Sequence, residues 1–114
     1  MMDVERVVAK HLMDSTGIRA VLEVPETRPD EFISVQLLGS TGDRFIKVHR
    51  LAVQSWAQTR RRASEIARLV EQATYDLPAE PNIFDANASG TYPWPDPDSR
   101  QHRYQTNLEV TICE

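Results

Sequence analysis

The chain has 114 residues, 40% of them hydrophobic and 26% charged, with a formal net charge of −4. Such a length and balance suit one soluble globular domain with a core of its own, and the lack of any apolar run near ~20 residues excludes a helical membrane span. A lone cysteine, Cys113, excludes an internal disulfide framework and fits a reducing compartment.

Asp3 is suited to cap a first helix in which Val4, Val7, Val8, His11 and Leu12 share a face, with His11 read as partly exposed. The run Asp14-Ser-Thr-Gly17 stops that helix, because glycine accepts the left-handed position past a helix end. From Ile18 to Val24, apolar and polar residues alternate as in a strand, which Pro25 ends. After a polar connection over 26–31, Phe32 to Leu38 reads as a second strand. Gly39-Ser-Thr-Gly-Asp43 then reads as a hairpin turn.

A third strand, Phe45 to Ser55, feeds the best helix, Trp56 to Tyr75. Ser55 and Gln58 match a capping box that starts the helix at Trp56. Ala63, Ile66, Ala67, Val70, Ala73 and Leu77 form its apolar stripe, and Arg61, Glu65, Arg68 and Gln72 its solvent face. In the strand, Ile46 and Val48 have the opposite parity to Leu51 and Val53. Either a bulge sits near His49-Arg50, or the strand is apolar on both faces.

Five of the seven prolines fall between Pro78 and Pro97, which predicts a proline-rich loop over about 78–101, with Ile83 to Ala86 at most a brief edge strand. Arg103 to Cys113 alternates Tyr104, Thr106, Leu108, Val110 and Ile112 against polar partners, a closing strand half-buried on one face. The order of elements predicts a single α+β domain over 1–114, with two layers: a mostly antiparallel sheet and two helices packed on one face.

Chemistry is sparse in this sequence. His11, His49 and His102 lack ligand spacing and Cys113 has no neighbouring partner, so no metal site is expected. Asp96-Pro97-Asp98 near His102 reads as a turn, and there is no phosphate loop, nucleophile elbow or Cys/His dyad. No enzyme activity and no cofactor are expected. Charge, by contrast, is segregated. Residues 44–75 hold seven bases and two acids, while 1–43 and 76–114 are both acidic. The bases are 11 Arg and only 2 Lys, and Arg is the cation suited to planar pairing. Arg60-Arg61-Arg62 places three cations at a helix start, where the helix dipole disfavours them. An anionic partner would offset that cost: an acidic loop of the same chain, of a neighbour, or the phosphates of DNA.

Val-Gln-Ser-Trp-Ala-Gln-Thr-Arg (53–60), the Ala-rich helix after it, Pro-Asp-Pro-Asp (95–98) and Arg-Tyr-Gln (103–105) together resemble the tail terminators of long-tailed phages, the minor tail protein U-like family. The order of elements is similar along nearly the whole chain, and head–tail connector proteins of the neck are close competitors. The resemblance implies a non-catalytic virion protein at the head-proximal end of the tail, made in the bacterial host cytoplasm. It implies a homo-hexameric ring that caps the major tail tube protein, ends its polymerisation and joins it to neck proteins, with DNA passing through the lumen. A different class of reading is a small DNA-binding protein using Arg60–Arg62.

A ring requires one surface of a subunit to meet a different surface of the next. Arg60, Arg61, Arg62 and Arg68 on the long helix, and Asp85, Asp96 and Asp98 in the proline-rich segment, are candidates for the charged parts of that contact. Tyr92 and Trp94 are candidates for its apolar centre.

Overall fold

The computed structural model describes residues 2–113. Helix α1 (Val4–Thr16) is followed by a short strand β1 (Ala20–Val21), the hairpin β2 (Phe32–Gly42) and β3 (Ile46–Ala57), and helix α2 (Arg60–Thr74). A 3-10 turn at Leu77–Ala79 then leads into β4 (Ile83–Pro93) and β5 (His102–Cys113). The five strands form one sheet in the order β1-β2-β3-β5-β4. Every pairing is antiparallel except β1 with β2. This is the expected α+β arrangement. The long dimension of the molecule is 42 Å, close to a 12-residue strand at ~3.3 Å per residue.

Local chemistry sets the helix ends. The Asp3 carboxylate accepts from the Arg6 amide at 3.3 Å, and Gly17, at φ 74°, donates its N–H to the Met13 carbonyl. Along α2 the stripe Ala63, Ile66, Ala67, Val70 and Ala73 is buried, as the spacing predicts. Leu77 is buried too, but from the 3-10 turn. Beneath the helices lie Ile33 and Val35 of β2, Leu51, Val53 and Ala57 of β3, Ile83 and Ala86 of β4, and Leu108, Val110 and Ile112 of β5. His11 is a correction: it is buried, its Nε2 lies 2.8 Å from the Ala73 carbonyl and its Nδ1 3.3 Å from Glu80. It ties α1 to the end of α2.

The start of α2 is also corrected. β3 continues through Trp56 and Ala57, which pair with Arg103 and His102 of β5. Thr59, not Ser55, is the cap, accepting from the Arg62 amide at 3.1 Å. The ladder to β5 offers Ser55, Trp56 and Ala57 more than a helical turn would, and Thr59 supplies an equivalent cap four residues later.

β3 has no bulge. Its pairing with β5 runs unbroken from Ile46 to Ala57, and it is apolar on both faces: Leu51, Val53 and Ala57 face the helices, while Val48, Ala52 and Trp56 face away. The inserted residue sits on the neighbouring strand. Leu37 pairs with Leu51 and Gly39 with Arg50, leaving Leu38 as an extra residue of β2. β1 is shorter than the alternation over 18–24 predicts; it reaches only Ala20 and Val21, and Ile33 donates to the Arg19 carbonyl at 2.8 Å.

The largest difference lies in the proline-rich segment. Residues 83–93 form a full edge strand along β5, with shifts that set Phe84 and Ser89 out of register. Prolines cluster around this stretch rather than within it: Pro78 and Pro81 precede it, and Pro93 closes it. At a sheet edge a missing N–H costs little. Only Trp94–Gln101 remains a loop between β4 and β5.

Candidate interaction surface

The helices cover one face of the sheet, so the opposite face and the strand ends are the surfaces available to partners. Along the helix-free face a chain of side-chain hydrogen bonds crosses four strands. Trp56 Nε1 donates to Ser34 Oγ (3.0 Å), which donates to Gln54 Oε1 (3.2 Å). Gln54 Nε2 donates to Gln105 Oε1 (3.1 Å), and Gln105 Nε2 donates to the Tyr92 hydroxyl (3.0 Å). Asn107 donates to the same hydroxyl at 3.2 Å. These groups are neutral, and they lace β2, β3, β5 and β4 together in that order. Satisfied polar networks of this kind fix strand register.

One end of this face is closed by aromatic and cationic side chains. Trp56 is 2% exposed and stacks on Phe32 with ring centroids 5.2 Å apart and planes 10° from parallel. The guanidinium carbons of Arg28 and Arg103 lie 5.1 and 4.9 Å from the Trp56 ring. Asp96 pairs with Arg28 at 3.0 Å, with its side chain 9% exposed. Its carboxyl is held down to about 2 by the Ser99 hydroxyl, then by Arg28, the Asp98 amide and the charge of Arg103, all outweighing burial. Arg103 donates to the Trp94 carbonyl at 2.7 Å, and Gln101 to the Pro29 carbonyl at 2.9 Å. Burial pushes the Arg103 pKa down, against the pull of Asp96. Thus the loop after β4 is pinned at three points.

The nine candidate contact residues are distributed unevenly over this frame. Arg62 is engaged within the chain: its Nε and Nη2 reach the two Glu31 oxygens at 2.8 and 3.1 Å, which lowers the Glu31 pKa. Asp96 is engaged likewise by Arg28. Arg60 donates to the Tyr104 hydroxyl at 3.4 Å and is exposed. Arg61 is open, its side chain 92% exposed and 3.6 Å from Glu65; Arg68 is exposed further along α2. Arg60 and Asp96 line one cleft of about 440 Å³ together with Arg100, His102 and Tyr104. Tyr92 and Trp94 meet edge to face at 5.9 Å, with Trp94 48% exposed. Asp98 is exposed in the loop. Asp85 is exposed at the opposite end of β4, opposite Thr111. The structure therefore gathers Arg60, Trp94, Asp96 and Asp98 at the Trp56 end and sets Asp85 apart.

Sequence reasoning missed Arg28, Arg103 and the polar chain. A signal for the chain was present: Ser34, Gln54, Gln105 and Asn107 each alternate with core residues, so they share the face away from the helices. Among the described residues no group of three or more His, Cys, Asp or Glu side chains is placed to hold a metal ion. No helix among them is long and apolar enough to cross a membrane.

No protein-family model matches the sequence, and no curated protein matches it. Among solved structures, the fold is similar to that of a chain in the virion of a native gene transfer agent particle, with a TM-score of 0.70 at 10% identity. The match covers 97% of this chain and 95% of that one. The likeness is one of fold, over essentially the whole of both chains.

Proposed function

We propose that this chain is a structural protein of a phage-type virion, and specifically a tail terminator: a hexameric ring that caps the tail tube, ends its polymerisation and joins it to the neck. The observation that carries this reading is the end-to-end fold likeness to a virion chain. The resemblance of 53–60, 95–98 and 103–105 to tail terminators, made on sequence alone, points the same way. The protein acts without catalysis or cofactor, its partners are copies of itself, the tube protein and a neck protein, and DNA passes through the ring without sequence-specific contact.

The surfaces suit such a role. A broad sheet held in register by its own side chains gives a rigid wall, and the Trp56 end presents Arg60, Arg61, Trp94 and Asp98 for protein contact. The test is assembly. Light scattering and negative-stain imaging across a concentration series, with and without purified tail tubes, should show six-fold rings or capped tube ends. A strict monomer that also fails to bind tubes refutes the reading.

A further inference from the structure

The sheet has two open edges, and they are different from one another. On one side β1 covers only Ile33 and Ser34 of β2. The next outward amide, that of Leu37, is taken by the Glu5 carboxylate at 2.8 Å. Beyond it, among the described residues, no strand pairs with the outer side of Leu38–Gly42. On the other side β4 pairs only with β5, so its outer flank is open along its length.

Natural sheets guard such edges with charged side chains, prolines or bulges. Leu38 to Gly42 contains no charge and no proline, and β4 carries one charge, Asp85, and one proline, at its last residue. Both edges do have bulges, but these expose large apolar side chains: Leu38 is 58% exposed and Phe84 73%. A guarded edge would present lysine there. Exposed apolar residues beside unpaired backbone mark a surface that is covered in use.

The strand directions say what fits. β2 opposes β3, β3 opposes β5 and β5 opposes β4, so β4 runs opposite to β2. A second copy rotated about an axis parallel to the strands keeps these directions. Its β2 then lies antiparallel to β4 of the first copy, continuing the alternation of the sheet. Because the two edges differ, the contact is heterologous, the kind that closes into rings.

We infer that copies of this chain join edge to edge, the Leu38–Gly42 stretch of one adding to β4 of the next, with Leu38 and Phe84 covered at the junction. This rests on the ring reading and deepens it. It leaves both strand ends, including the arginine-rich Trp56 end, free to meet the proteins stacked above and below the ring.

The test uses proline and lysine as edge guards. Asp43 donates inward to the Ile46 carbonyl, so two and three residues back Thr41 faces β3 and Ser40 faces outward. Ser40→Pro therefore removes an N–H that the monomer does not use in its sheet, together with the exposed hydrogen bond between Ser40 Oγ and His49 Nδ1, which Ser40→Ala removes alone as a control; Phe84→Lys places a charge on the other edge. In far-ultraviolet circular dichroism Ser40→Pro should melt as the Ser40→Ala monomer does and Phe84→Lys as the parent monomer does, and both should lower ring formation at least about tenfold by sedimentation velocity relative to those references. Hydrogen exchange on the parent should show amides of 38–42 and 83–91 protected in rings relative to monomers. Rings unchanged in both variants, or protection confined to α2, overturn this inference and leave the terminator reading standing. A parent that never assembles, alone or on tube ends, overturns both.

Discussion

Trp56→Ala tests how the closed end of the sheet is held. The side chain is 2% exposed, stacks on Phe32 at 5.2 Å, donates to Ser34 at 3.0 Å and lies under Arg28 and Arg103. Truncating a buried aromatic costs about 3–5 kcal/mol through lost transfer energy and the cavity left behind. The ring stack lies within that range as a contribution of ~0.5–1.5 kcal/mol. Ser34 keeps Gln54 as a partner, so no polar group is orphaned and the hydrogen bond itself adds only ~1 kcal/mol. A loss near 4 kcal/mol is a large share of the ~5–15 kcal/mol that holds a domain of this size. At roughly 4 °C or more per kcal/mol, the melting temperature should fall by well over 10 °C. Urea denaturation followed by circular dichroism gives the energy directly, and Trp56→Phe, which keeps a ring but loses the N–H, should recover most of it. A Trp56→Ala protein within ~1 kcal/mol of the parent would refute the packing argument.

The remaining predictions address the loop and the charges. Asp96 has a folded pKa lowered to about 2 from 3.8, so its stabilising effect is present above pH ~4 and is lost as pH falls from there through about 2. Thermal melts across that window should decline in the parent and be flatter in Asp96→Asn; equal acid limbs would show that the carboxylate does not hold the loop. Trypsin should cut the free protein first after Arg100, within the short loop, and initial cuts inside 60–74 would contradict the placement of the stable elements. Arg62→Ala should cost the monomer at most about 1 kcal/mol, since its pair with Glu31 is partly exposed. Arg61→Glu should leave monomer melting unchanged while making assembly or tube capping more sensitive to salt; an effect on melting alone would return Arg61 to an ordinary solvated role. Trp94→Ala should weaken assembly or capping more than it lowers the melting temperature, and equal capping by the variant would remove Trp94 from the contact surface.

Two helices and the three long strands β2, β3 and β5 were legible because each carries a period that physics imposes: 3.6 in the stripe from Ala63 to Ala73, 2 in the run from Tyr104 to Ile112. Boundaries were less so. Ser55-Gln58 and Thr59 both offer caps, and what decides between them is the pairing of Trp56 with Arg103, a residue 47 positions away. β4 was hidden for a related reason. Proline count was averaged over a window, whereas strand formation depends on whether proline falls inside the ladder or at its ends. Its interior residues Ala86 to Gly90 are small, with weak strand preference of their own; they adopt the strand because β5 is already there to pair with.

The charges show the limit of composition most plainly. Three successive arginines at the head of α2 invite a reading as one patch, yet a helix turns ~100° per residue and sends them to different tasks. Arg62 locks onto Glu31, while Arg60, beside Tyr104, and Arg61, beside Glu65, are both exposed to solvent. Asp96, offered by sequence as an acid for a neighbour, is already satisfied by Arg28 and Ser99, and forming an intermolecular pair would first require breaking that one. Pairing across a boundary between copies is therefore better served by groups with no partner in the monomer. Along the sheet those groups are backbone amides and carbonyls at the two edges, flanked by Leu38 and Phe84. Unpaired backbone costs more to bury than an exposed arginine does to leave in water. If the chain closes into a ring, the edges have the most to gain from it, and the arginines left over at the strand ends are then placed for orientation toward axial neighbours rather than for adhesion between copies.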